Sequence, residues 1–78
     1  MVFTKNERNL VLLSLRDRPE NADSPGLMRA LGLSQQMVDR HLIYCVDYGL
    51  AAWTERRGGS RRAAITQLGR GYLARQGF

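Results

Sequence analysis

Apolar positions along this chain recur at helical spacing in four stretches and break that spacing in one. Thr4-x-x-Glu7 forms a capping box, in which each side chain satisfies an orphan backbone N–H, so a first helix is expected to start there. Leu10, Val11, Leu13 and Leu15 follow, and the helix should run to about Arg16. Pro19 cannot continue it, so residues 16–23 read as a polar connection. Ser24-Pro25 then reads as an N-cap followed by proline at the first helical position, where its missing N–H costs nothing. Leu27, Met28, Ala30 and Leu31 give this short second helix its apolar face, and Gly32 stops it. Ser34 is the expected N-cap of a third helix, with Val38, Leu42, Cys45 and Gly49 on one stripe. Gly49 suits a left-handed cap and closes it.

From Leu50 the helical stripe is lost. Leu50 to Arg57, with Trp53 and Thr54, reads as a strand; Gly58-Gly59-Ser60 is a turn signal, and Arg61 to Thr66 returns. Thr66 caps a last helix through Leu68, Tyr72 and Leu73, ended by Gly77. The fold class expected is therefore mainly α with a small β-hairpin. At 78 residues, a single domain over 1–78 is the natural reading.

Composition narrows the function. Apolar residues make up 44% and charged residues 24%, which is ordinary for a soluble globular chain. No apolar run approaches the ~20 residues of a membrane span, and none suits the apolar centre of a secretory signal. One cysteine cannot staple a small fold, so a reducing, cytoplasmic setting is expected. The net charge of +5 is the more informative quantity, because it is not spread evenly. Residues 1–53 hold six basic and six acidic residues, whereas residues 54–78 hold Arg56, Arg57, Arg61, Arg62, Arg70 and Arg75 against Glu55 alone. Clustered positive charge is the footprint of a polyanion partner. Arginine predominates over lysine, and its fork suits phosphates and base edges. A GC-rich genome would also raise the arginine content, but would not cluster it.

Two helices joined at Leu31-Gly32-Leu33-Ser34 read as a helix-turn-helix, with the glycine supplying the turn and the leucines filling the crossing. A basic hairpin follows directly. Here the chain resembles the winged helix-turn-helix regulators of bacteria, the ArsR-like and MarR-like repressors. The resemblance is carried by residues 30–42, by Tyr48-Gly49-Leu50, by the arginine hairpin and by Ile65-Thr66-Gln67-Leu68-Gly69-Arg70-Gly71-Tyr72-Leu73. It covers roughly residues 4–75. Met28 stands where those regulators usually place a small residue, and no long dimerisation helix is present.

The resemblance implies a winged helix of three helices, a two-stranded wing and a C-terminal helix, and a small prokaryotic or phage transcription regulator that binds double-stranded DNA. The third helix would enter the major groove. On a helical wheel centred on Val38, residues Gln36, Asp39, Arg40, Ile43 and Asp47 fall on the opposite side, with Gln35 in the first turn. Arg40 can fork onto guanine, Gln35 or Gln36 onto adenine, and Asp39 can accept from cytosine; Ser34 can present helix N–H groups to a phosphate. Ile43 can meet a thymine methyl or belong to a protein interface. In the wing, Arg56, Arg57, Ser60, Arg61 and Arg62 are expected on the backbone or in the minor groove. The alternatives are a winged helix that grips an acidic protein partner and one that binds RNA. The closing helix, through Tyr72, Leu73 and Phe78, is the candidate self-contact for a homodimer. His41 and Cys45 have a spacing that two metal ligands could use, but ligand count favours core packing, so no metal and no cofactor is expected. With no catalytic cluster in view, an enzyme is not expected.

Overall fold

A computed structural model describes residues 5–57 and 60–78, with side chains described for 6–54 and 62–78. In order, the chain forms helix α1 (Lys5–Asp17), a 3-10 turn at Pro19–Asn21, α2 (Ser24–Leu31), α3 (Gln35–Asp47), strands β1 (Ala51–Arg57) and β2 (Ser60–Ile65), and α4 (Gln67–Arg75). The described chain is thus mainly helical, with one two-stranded antiparallel hairpin. The capping role expected of Thr4 and the turn residues Gly58 and Gly59 lie outside the described residues.

Helix α1 is the central element, packing against α2, α3, α4 and β2. Its buried stripe is Val11, Leu12 and Leu15, with Asn9 and Ser14 beside them. This corrects the sequence expectation, which has Leu10 and Leu13 with Val11 and Leu15 and omits Leu12: Leu10 is exposed, Leu13 half-buried and Leu12 fully buried. Positions 11, 12 and 15 share one side of a 3.6-residue helix, and Leu10 is turned off it. The buried Asn9 is satisfied, because Tyr72 of α4 donates to its side-chain oxygen at 2.8 Å.

The start of α2 also differs from expectation. Asp23, not Ser24, is the N-cap, and its carboxylate accepts from the Gly26 N–H at 2.8 Å. Ser24 is the first helical residue, and its hydroxyl is thereby free to donate to Asp39 of α3. The expected stops hold. Gly32 (φ 68°) and Gly49 (φ 75°) take the left-handed conformation at the ends of α2 and α3. After α3, the Gly49 N–H reaches the Val46 carbonyl and the Leu50 N–H reaches back to Cys45 at 2.8 Å. That double closure turns the chain directly into β1.

The hairpin pairs Ala51 with Ile65, Ala52 with Ala64 and Trp53 with Ala63, then Arg56 with Arg61 and Arg57 with Ser60 after an irregularity in the register. The connection before α2 is more than a polar link. Ala22 is buried, its carbonyl accepts from the Ala63 N–H at 2.9 Å, and Asp23 forms a bridge with Arg62. The chain just ahead of α2 therefore meets β2 through a single bridge. Thr66 caps α4 as expected, accepting from the Gly69 N–H at 3.1 Å. On that helix Leu73 is fully buried, but Leu68, expected on the same face, is exposed. A side chain at Gly69 would run into the Leu50 carbonyl, so the glycine lets α4 seat closely beneath the hairpin.

The core is one cluster drawing on all four helices and the hairpin: Val11, Leu12 and Leu15 of α1, Leu27 of α2, Val38, Leu42 and Cys45 of α3, Ala51 and Ala63 of the hairpin, and Leu73 of α4. Trp53 packs half-buried against it, closing the core at the hairpin base. No helix among the described residues is long and apolar enough to cross a membrane.

Candidate functional site

The turn between α2 and α3 presents one long face of α3 outward. Ser34 caps the helix, accepting from the Met37 N–H at 3.3 Å. Val38, Leu42 and Cys45 point into the core, joined by Met37 and His41, which the expected apolar stripe does not include. Gln36, Arg40, Ile43 and Asp47 are exposed, so these outward residues expected from the wheel share one surface, and Gln35 is exposed in the first turn. Asp39 is the exception. It is half-buried and accepts the Ser24 hydroxyl, so its carboxylate joins the first turns of α2 and α3. That tie gives Asp39 a role inside the fold.

Of the hairpin arginines, Arg62 has a described side chain. The side chains of Arg56, Arg57, Ser60 and Arg61 lie outside the described residues; their backbones place them in the distal half of the hairpin. Arg62 is turned back onto the body. It lies 3.6 Å from the Asp23 carboxylate and donates to the carbonyls of Pro19 at 3.1 Å and Glu20 at 3.4 Å. One guanidinium therefore joins β2, the 3-10 turn and the cap of α2, which a lysine could not reproduce. Thr54 adds a cross-strand bond to the Arg62 carbonyl at 3.1 Å.

Beside the outward face of α3, toward α1, runs an open groove of about 440 Å³ lined by Arg8, Arg40, His41, Ile43, Tyr44 and Asp47. The Arg8 guanidinium sits 4.3 Å from the centre of the Tyr44 ring, within cation–π range. Tyr44 in turn packs on Tyr48 with ring centres 4.4 Å apart. This Arg8–Tyr44–Tyr48 column is absent from the sequence expectations. The i, i+4 spacing of the tyrosines is visible in the sequence, but Arg8 comes from another helix and only the fold brings it there.

His41 and Cys45 are both buried in the wall between α1 and α3. Burial holds the His41 imidazole below its ordinary range, opposed by Glu7 and reinforced by Arg8. Burial also pushes the Cys45 thiol up to about 11, so it is a packed hydrophobe rather than a nucleophile. No group of three metal-ligating side chains occurs among the described residues. On α4, Tyr72 is engaged with Asn9 and Leu73 is buried, which leaves Phe78 as the outward member of the expected self-contact.

Compared with family models, curated proteins and solved structures, the chain finds no match. Its functional reading rests on its own residues.

Proposed function

We propose that this chain is a winged helix-turn-helix that binds double-stranded DNA, with α3 in the major groove and the hairpin arginines on the phosphate backbone or in the minor groove. The observation that carries the reading is the attachment of the hairpin. Strand β2 is pinned to the segment just before α2 by the Ala63–Ala22 hydrogen bond and by Arg62 on Asp23. The base of the hairpin is thus fixed at the entrance to the helix-turn-helix. Two elements so held can meet one duplex together. Arg40 and Gln36 supply base-reading forks, and Arg56, Arg57 and Arg61 supply the sequence-independent attraction. Asp39 is taken up by Ser24, which turns its carboxylate toward α2.

On this reading the protein is a small cytoplasmic transcription regulator of a prokaryote or phage. Selection from a randomised duplex pool tests it, with double- and single-stranded RNA compared at the same salt. Enrichment of a defined duplex site is the expected result. Equal or tighter binding to RNA, or no enrichment, would move the assignment to the RNA or protein-partner alternative.

A further inference from the structure

The exposed face of α3 is complementary to itself. At 100° per residue, Arg40 and Asp47 lie about 10° either side of a line midway between Ile43 and Tyr44, and those two lie about 50° either side of it. Arg40 and Asp47 are seven residues apart, or about 10 Å along the axis, with the apolar pair at the midpoint. Positive end, apolar middle and negative end form a pattern that a two-fold rotation maps onto its own complement.

We infer that α3 pairs antiparallel with α3 of a second copy of this chain. The two-fold axis passes at the level of Ile43 and Tyr44. Arg40 of each copy then meets Asp47 of the other, twice by symmetry. Ile43 packs on its own counterpart on one side of the contact line, and Tyr44 on its counterpart on the other. The exposures agree with this use: Ile43 is 51% exposed, Tyr44 37% and the C-cap residue Tyr48 62%, a run of large apolar surface at the C-terminal end of α3. Isolated exposed apolar residues need no explanation, but three on one helix end beside an open groove form a patch. Tyrosine and arginine are also the residues that dominate interface energetics. Cation–π contact with Arg8 and stacking on Tyr48 hold the Tyr44 ring in place beforehand, which lowers the ordering cost of association.

An acidic protein would gain from Arg40 and Arg8 but meet Asp47 at the same face, and a basic one the reverse. A second copy presents a charge of opposite sign to each. The contact is small, so the dimer is weak and concentration-dependent. It occupies the face of α3 that the DNA reading uses, although the self-pairing does not depend on that reading.

Sedimentation velocity over about three decades of concentration tests the pairing without any nucleic acid. The wild-type chain should shift from monomer to dimer. Arg40→Asp and Asp47→Arg, each with an unchanged circular-dichroism spectrum, should each weaken the dimer at least about tenfold, because each sets like charges opposite one another twice. An equimolar mixture of the two variants should recover it, since in the mixed pair each charge at position 40 faces one of opposite sign at position 47. A wild-type chain that stays monomeric throughout, single variants that dimerise as well as wild type, or a mixture that fails to recover would each overturn the pairing.

Discussion

Helix α3 and the β1–β2 hairpin sit on the same body but carry different charge. Within α3, Asp39, Arg40 and Asp47 leave a net charge of −1. Within residues 54–62, four arginines against Glu55 leave +3. On the proposed function, the hairpin attracts any polyanion, whereas α3 gains little from charge alone and relies on the fit of single side chains. The charged side chains of α3 divide further, and Arg62 of the hairpin falls with the inward ones. Asp39 and Arg62 face inward and hold the fold, whereas Arg40 and Asp47 beside Asp39 face outward. Residue type at a site therefore does not decide its role; the partner it meets in the folded chain does.

Removing the hairpin charge should have the largest effect. Arg56, Arg57 and Arg61 changed together to Glu, with Arg62 kept for its structural contacts, should weaken duplex binding roughly 10²–10³-fold for every sequence. Fluorescence anisotropy measures this, and an unchanged circular-dichroism spectrum shows that the fold survives. Retained affinity would erase the contrast between the two regions.

Arg40→Ala should act more narrowly, costing about 1–3 kcal/mol at one base position and little elsewhere. Binding-site selection on the variant checks this; a uniform loss across all sequences would mean that α3 does not read bases.

Much of this contrast is legible in the sequence. The clustered arginines, the Gly32 and Gly49 stops, and the Ser34 and Thr66 caps depend on local chemistry, and local chemistry can be read from neighbours in the chain. The apolar stripe of α3 is visible for the same reason. What escapes such reading depends on contacts distant in sequence. Arg62 looks like the other hairpin arginines because Asp23 and the Pro19 carbonyl reach it across some 40 residues. Asp23 and Ser24 both suit an N-cap, and it is Asp39 on α3 that gives Ser24 its other partner. Leu10 and Leu12 are equivalent in hydrophobicity, and only the placement of α1 among four neighbours decides which is buried. The pairing of Ala22 with Ala63 leaves no pattern in a segment otherwise polar.

A smaller effect separates Arg62 from its neighbours. Arg62→Gln should lower stability by about 1 kcal/mol, because the ion pair with Asp23 is partly exposed and screened. Urea denaturation reports it. A loss of DNA affinity with no loss of stability would return Arg62 to the phosphate-contacting set.

The smallest expected effect is the pH dependence of the α1–α3 wall, where the hairpin arginines do not titrate. Burial keeps the folded-state pKa of His41 below its ordinary 6.5, so on acidification the unfolded chain takes up the proton first. Stability should be intact above that value and decline as pH falls from it through the folded-state pKa. The urea midpoint should therefore drop as pH falls below the ordinary 6.5, and His41→Asn should remove the drop. A midpoint that rises on acidification would show that His41 gains rather than loses by protonation.

On this account the hairpin, above all, supplies the electrostatic grip on duplex DNA. The most direct test is the salt dependence of binding, measured side by side for the wild-type chain and the Arg56, Arg57 and Arg61 to Glu variant. With the three hairpin contacts and one or two more from the rest of the surface, log K should fall against log salt with a slope of about −4 for wild type. The variant's slope should be shallower by about 3. Equal slopes, or a wild-type affinity indifferent to salt, would contradict the account.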